Sequence, residues 1–308
     1  MVKGGSLSGD GIIKDAILIA GPTASGKSAL ALDIAARENG IIVNADSMQV
    51  YSLLDVITAR PTAADQRRVP HALYGHVHPS IAYSTGAWLR DVSRLVAEGK
   101  LAGRRPIFVG GTGLYFRALA DGISVMPEIP DAVRDRWRQR LRDSGPQELH
   151  RILERDDAPA AQLLKPGDGQ RILRALEVLE ASGRSILAWQ SGGGGGPPLI
   201  DRSGARFMVI EPGRPLLVER IEQRFSRMIE QGVIDEVKAL LALRLDPQLP
   251  AMKAIGVREL GMVIEGRISL AEAERLAAIA TRQYAKRQAT WFRNQLGPEW
   301  QRLTGPFM

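Results

Sequence analysis

The residues Gly21, Pro22, Thr23, Ala24, Ser25, Gly26, Lys27 and Ser28 fit the pattern G-x-x-x-x-G-K-[ST]. Gly21 and Gly26 let the backbone bend tightly, so successive N–H groups point into one concavity. A helix starting there adds a partial positive charge. Lys27 supplies a point charge and the Ser28 hydroxyl can hold a Mg²⁺ ion. The ligand such a loop suits is a di- or triphosphate, and the pattern alone leaves open whose. Asp46 and Thr112 are the next candidates. A carboxylate at Asp46 can contact Mg²⁺ or take a proton from an attacking nucleophile; capping a turn is its competing role. Thr112, inside Gly110-Gly-Thr-Gly113, can donate to a phosphate or a ligand, or serve an ordinary turn. His71, His76 and His78 lie close together, but no carboxylate spacing completes a metal site, so loop or core packing is favoured. The alternating Arg134, Arg136, Arg138, Arg140 and Arg142 form a solvated helix face or an RNA contact. Arg282, Lys286 and Arg287 have no acid within their own cluster and are expected to face phosphates.

These residues need elements to position them. The apolar run Ala16–Ala20 reads as a strand before the glycine loop, and Ala29–Ala36 reads as a helix after it. Strand, loop and helix are the context the pattern requires. Gly40–Ala45 is a second strand, ending at Asp46-Ser-Met-Gln49; residues 86–99 are helical; Arg105–Val109 is a third strand, ending at Gly110-Gly-Thr-Gly113. Strands separated by helices imply parallel βαβ units. Ligands then sit at the carboxyl ends of the strands, so the three motifs face one cavity. From about residue 125 the composition turns helical and basic. One helix covers 130–142, and another runs from Asp168, a plausible cap, through Leu179. Five glycines follow Ser191, and with Pro197-Pro198 they mark a flexible loop. Arg206–Ile210 is a returning strand, with helices at 214–243, 252–265 and 269–293. The division expected is a loose tail at 1–15, a first core segment at 16–125, a helical insert at 126–205 and core completion at 206–308.

The chain has 308 residues, 44% of them hydrophobic, and a net charge of +7. A core can be buried, and an anionic partner is favoured, nucleic acid ahead of membrane. Cysteine is absent, which excludes disulfides and thiolate zinc sites and points to a reducing, cytoplasmic compartment. No run of 18 apolar residues suggests a transmembrane helix, and residues 1–15 do not read as a signal peptide. A nucleotide-hydrolysing protein with this loop normally has an Asp at the end of a second strand to hold Mg²⁺. Here Ile107–Gly113 ends in glycines and a threonine.

Taken together the motifs resemble the bacterial tRNA dimethylallyltransferases, or tRNA isopentenyltransferases. The residues carrying the resemblance are Gly21–Ser28, Asn44-Ala-Asp-Ser-Met-Gln-Val-Tyr51, Val109-Gly-Gly-Thr-Gly-Leu-Tyr115, Asp168–Val178, Arg220–Phe225 and Thr281–Arg293, in family order across nearly all of Ala16–Arg293. The resemblance implies an α/β fold, a P-loop NTPase-like parallel sheet core with an inserted α-helical tRNA-binding subdomain. It implies transfer of a dimethylallyl group from its diphosphate to the exocyclic amine of the adenosine just 3′ of the anticodon. The partners implied are the tRNA anticodon stem-loop and dimethylallyl diphosphate, with Mg²⁺ as cofactor, no membrane, and a monomer. By resemblance the loop holds the allylic diphosphate and not a nucleotide, in agreement with the missing strand-end Asp. Asp46 is then the general base, Thr112 contacts the reacting adenosine, and Lys27 with Mg²⁺ on Ser28 neutralises the leaving group. Arg220 and Arg224 become further diphosphate ligands. Asp46, Ser47, Met48, Gln49, Thr112, Arg134, Gln170, Arg171, Ile172, Leu173 and Arg174 match tRNA-contacting positions. Where the pattern has D-I-G-T-A-K-P the chain has Asp55-Val-Ile-Thr-Ala-Arg-Pro61, so Ile57 stands for a glycine; Ala72 stands for a histidine and Val257 for a tyrosine. The rival readings are an adenylate isopentenyltransferase acting on free AMP, and a P-loop small-molecule kinase or RNA-binding ATPase.

Overall fold

The apolar runs pair into a six-stranded sheet in the order β3-β2-β4-β1-β5-β6, every pairing parallel. The computed structural model describes residues 11–191 and 196–305. The strands are β1 (Ile17–Ala20), β2 (Gly40–Asn44), β3 (His71–Ala72), β4 (Arg105–Gly110), β5 (Arg206–Ile210) and β6 (Gln301–Leu303). Between β1 and β4 lie α1 (Lys27–Arg37), α2 (Ala63–Arg68) and α3 (Thr85–Ala97). Between β4 and β5 lie α4 (Gly113–Asp121), α5 (Asp131–Asp156), α6 (Ala158–Gln162), α7 (Gly169–Ser182) and α8 (Ile186–Ser191). After β5 come α9 (Arg214–Glu230), α10 (Val233–Ala242), a 3-10 turn (Pro250–Lys253), α11 (Val257–Ile264) and α12 (Leu270–Gln295).

The central strands are apolar throughout because both sheet faces are covered. Alternate residues point to opposite faces. Leu18, Val43, Phe108 and Val209 pack on one side against Trp88 and Val92 of α3 and Phe116 and Leu119 of α4. Ile17, Ile19, Ile42, Ile107 and Ile210 pack on the other against Ala31 and Ala35 of α1. A further cluster joins α9, α10, α11 and the segment Val50–Ile57, with Phe225, Val237, Leu260 and Leu54 at its centre. Ile57 and Val257 both lie in it, 6% and 2% exposed. These departures from the family pattern are accommodated together in one apolar cluster, and Ile57 is not among the residues with positive φ.

The chain separates into two units, Gly122–Pro197 and the rest. The smaller one has its own core: Leu149, Ile152 and Leu153 of α5 against Ala160 and Ala161 of α6 and Ile172, Ala175 and Leu176 of α7. Its α5 is interrupted at Gly145-Pro146, where proline removes a helical donor. Gly196 N donates to Ile123 O at 2.8 Å, so the chain enters and leaves this unit at adjacent residues.

Three sequence expectations change. The helical insert ends at Pro197 and not at 205, because Leu199 N donates to Leu119 O and Ile200 bridges Ile13. For the tail expected at 1–15, residues 1–10 lie outside the described residues, as do 192–195 of the glycine stretch; Ile13, however, is fully buried. The helix expected at 214–243 is two helices, divided at Gln231-Gly232.

Candidate active site

The loop after β1 reaches α1 through Gly26, whose φ of +91° is the left-handed conformation that glycine adopts without strain. Inside the loop the Ser25 hydroxyl is buried and has no hydrogen-bond partner among the described residues. A buried hydroxyl left so costs about 1–3 kcal/mol, and a bound anion would accept it. Lys27 Nζ donates to Pro22 O at 3.2 Å. Burial lowers the Lys27 pKa to about 8; the Asp46 carboxylate opposes that shift and Arg224 adds to it.

Two arginines of α9, one helical turn apart, close on this loop. Arg220 NH1 donates to Ser25 O at 3.3 Å. Arg224 NH1 donates to Thr23 Oγ1 at 2.9 Å and NH2 donates to Thr58 O at 3.1 Å. Burial pulls the Arg224 pKa below its ordinary value, with Asp46 opposing. A cavity of about 920 Å³ opens here, lined by Arg60, Arg220, Arg224 and Arg227 and by the acids Asp55 and Glu219 among others. Backbone amides at a helix start plus converging cations make a receptor for a multiply charged anion.

The neighbouring strand ends carry the acid. Asn44 is fully buried at the end of β2. Its Nδ2 donates to Asp46 O and Leu73 O at 2.9 and 3.0 Å, and its Oδ1 accepts from Asp46 N at 2.9 Å. Asp46 Oδ1 accepts from Met48 N at 3.0 Å, an Asx-type turn. The carboxylate therefore caps a turn with one oxygen, and its other oxygen has no hydrogen bond to a described residue. Ser47 N donates to Thr112 Oγ1 at 2.9 Å, and that hydroxyl donates to Ser47 Oγ at 3.2 Å. The loops after β2 and β4 are thereby joined. Asp46 acts electrostatically on Lys27, Arg224, Tyr74, Tyr115 and Tyr284. Acid and cations thus belong to one site.

Ser28 is exposed in the first turn of α1. A hydroxyl plus diphosphate oxygens is an all-oxygen donor set of the kind Mg²⁺ takes. Among the described residues no group of three His, Cys, Asp or Glu can hold a metal by itself. His71, His76 and His78 instead meet Val69 O, Asp91 and Ser80 respectively.

Other candidates fall elsewhere. Gln49 Nε2 donates to Thr58 O and Ala59 O, so it holds the cavity lip. Met48 packs beside the α9–α11 cluster. Within the smaller unit Gln170 and Arg171 are exposed, while Leu173 packs on that unit's core. Ile172 is fully buried in that core, so its side chain packs the unit and is not open to a ligand. Arg134 pairs with Asp131 at 3.2 Å, Arg171 with Asp168 at 3.4 Å and Arg174 with Glu177 at 3.5 Å. Arg282, without an acid in its own cluster, pairs with Glu222 of α9 at 3.2 Å. Sequence reasoning assigns no role to Asn44, Glu236 or Gln288. Glu236 accepts from the amides of Asp55, Val56 and Ile57 at 2.7–3.0 Å and so shapes the loop bearing Thr58. Gln288 links two site loops. The available signal is a polar residue at a core-facing position of its helix.

A parallel sheet with a glycine loop after its central strand, and an acid at a nearby strand end, defines an α/β protein of P-loop type. Residues 49–295 match the family model described as IPP transferase, and residues 14–71 match that of isopentenyl transferase. The chain is 67% identical over 299 residues to a tRNA dimethylallyltransferase of Mesorhizobium japonicum, covering 97% of this chain and 92% of the relative. It is 58% identical to one from Chelativorans sp., covering 95% and 99%. Among solved structures it is similar to the tRNA isopentenylpyrophosphate transferase of Bacillus halodurans, with a TM-score of 0.65, 31% identity and coverage of 94% and 90%. A eukaryotic dimethylallyltransferase acting on tRNA superposes with a TM-score of 0.75 at 25% identity, covering 94% and 74%. The chain belongs to the IPP transferase family.

Proposed function

We propose that the protein transfers the dimethylallyl group of dimethylallyl diphosphate to the exocyclic amine of the adenosine 3′-adjacent to the tRNA anticodon. The product is N6-isopentenyladenosine. The observation that carries the reading is a cationic phosphate cradle, with Lys27 and Arg224 buried in it, lying within electrostatic reach of the Asp46 carboxylate. Cleavage of the allylic carbon–oxygen bond builds negative charge on the departing diphosphate. Lys27, Arg220, Arg224 and the loop amides meet that charge, which is stabilisation at the point where charge develops. Mg²⁺ held by Ser28 and the diphosphate would add Lewis-acid neutralisation of the same oxygens. The amine forms the new carbon–nitrogen bond and its proton passes to Asp46, held in place by the amide of Met48. Thr112, fixed by Ser47, orients the adenine beside it. The base leaves the anticodon-loop stack to reach this site, at a cost of a few kcal/mol. The helical unit supplies phosphate contacts from Arg134, Arg171 and Arg174, which suits recognition of an RNA loop by shape and backbone.

The experiment is Asp46→Asn in single turnover. Asparagine keeps the bond from Met48 N but cannot take the proton. The rate is expected to fall on the order of 10²–10⁴-fold, with affinity for dimethylallyl diphosphate unchanged. Restoration by excess Mg²⁺ would make Asp46 a metal ligand and contradict the base assignment.

A further inference from the structure

Gln288 is 6% exposed and is the one polar residue among the buried positions of α12, the others being Ala273, Ala277, Ala278, Ala285 and Phe292. A buried amide is disfavoured unless its donors and acceptor are used, so its bonds matter more than its packing. Oε1 accepts from Thr23 N at 2.9 Å, and Nε2 donates to Gly111 O at 2.9 Å. Thr23 lies in the phosphate loop after β1, and Gly111 lies in the loop after β4 that carries Thr112. The two strands pair as far as Ala20 and Gly110. Gly21 N reaches Gly110 O at 3.3 Å, and beyond that point the side chain of Gln288 spans the gap. A Cβ at Gly111 would stand 2.2 Å from Gln288 Nε2 and 3.2 Å from Asp46 Oδ2. The glutamine and the carboxylate thus flank the same face of Gly111, which only glycine can leave open.

We infer that Gln288 is a positioning residue for the transfer step. Its amide fixes the spacing between the loop that takes the leaving diphosphate and the loops that hold Asp46 and Thr112. The inference rests on the proposed function. Thr23 N is committed to Gln288, so the anion cradle is formed by the later amides of the loop. Gln288 touches no reacting atom. It sets the near-attack geometry, where a displacement near 1 Å costs on the order of 10²-fold in rate.

Two variants test this. Gln288→Met keeps length and volume but makes neither bond. Gln288→Glu keeps the acceptor and loses the donor, and regains the donor when its carboxyl is protonated. With both substrates saturating, Gln288→Met is expected to lower the rate about 10- to 100-fold while the dissociation constants for dimethylallyl diphosphate and tRNA change less than about threefold. The rate of Gln288→Glu relative to wild type is expected to rise as pH falls from 8 to 6. Because the charged carboxylate of Gln288→Glu beside Asp46 is itself unfavourable, the uncharged Gln288→Met carries the test of the bonds and the pH recovery of Gln288→Glu supports it. A saturated rate of Gln288→Met equal to wild type, or a Gln288→Glu ratio flat with pH, overturns the inference. Wild type without transfer would instead overturn the proposed function and the inference together.

Discussion

Lys27 keeps a positive charge where burial disfavours one, and its pKa of about 8 lies below the ordinary 10.5. Below pH 8 the ammonium is present in both the folded and unfolded protein, and the folded state carries the whole desolvation cost. Between about 8 and 10.5 the folded state sheds the proton first, and the cost disappears. Lys27→Met is therefore expected to be more stable than wild type at pH 7, by at most about 3 kcal/mol because some solvent contact remains. The advantage should vanish by pH 10.5. Thermal unfolding of both proteins in chelator, without ligand, checks this; an advantage independent of pH would contradict it. The same variant should lose affinity for pyrophosphate, since the charge it removes serves the anion. Lys27, Asp46 and Thr112 are legible in the sequence because residue type and spacing announce their chemistry. Asn44, Glu236 and Gln288 are not, because their roles consist of hydrogen bonds to backbone groups as far as 265 positions away in the chain.

The elements that place the chemistry are legible from period: apolar runs mark β1, β2, β4 and β5, and the capped run from Asp168 marks α7, where Asp168 accepts from Arg171 N. Two-residue β3 and three-residue β6 carry too little pattern to be seen, and the break at Gln231-Gly232 falls where Gly232 takes a left-handed φ of +86° between α9 and α10. The far end of the insert is hidden from sequence reading because Ile13–Ile200 pairing is long-range. On its helices, Arg134, Arg171 and Arg174 each pair with an acid three positions away. The exposed pairs of Arg134 and Arg171 contribute about 0–1 kcal/mol and are readily exchanged for phosphates, whereas the Glu177 partner of Arg174 is buried. Replacing Arg134 or Arg171 with Ala should leave stability almost unchanged and weaken tRNA binding; Arg174→Ala should weaken binding and also lower stability, because it leaves the buried Glu177 carboxylate without its partner. The log–log salt slope should flatten by roughly 0.7–0.9 for each phosphate that the variant no longer neutralises. Affinity against salt for each variant is the measurement. Unchanged slopes in all three would remove these helices from RNA binding.

For the whole molecule, the chain forms two units, and the smaller has a core of its own. The chain passes into and out of the smaller unit at the hydrogen-bonded Ile123 and Gly196, so excision need not break the sheet. Replacing residues 124–195 by a short glycine-serine linker is expected to leave a folded protein that binds pyrophosphate as wild type does and has lost most tRNA affinity. Calorimetric titration with each ligand decides it; a shortened protein that keeps full tRNA affinity would place RNA recognition in the sheet-bearing unit. The absence of a strand-end Asp after β4 argues from sequence against nucleotide hydrolysis, and no helix among the described residues is long and apolar enough to cross a membrane. The central claim is transfer to an adenosine in tRNA. Its most direct test is incubation of the purified protein with dimethylallyl diphosphate, Mg²⁺ and undermodified tRNA, beside a parallel reaction with free AMP, followed by nucleoside mass analysis. The account predicts N6-isopentenyladenosine from the tRNA, at the adenosine following the anticodon, and none from AMP. Prenylated AMP with unmodified tRNA, or ATP turnover with no prenylated product at all, would contradict it.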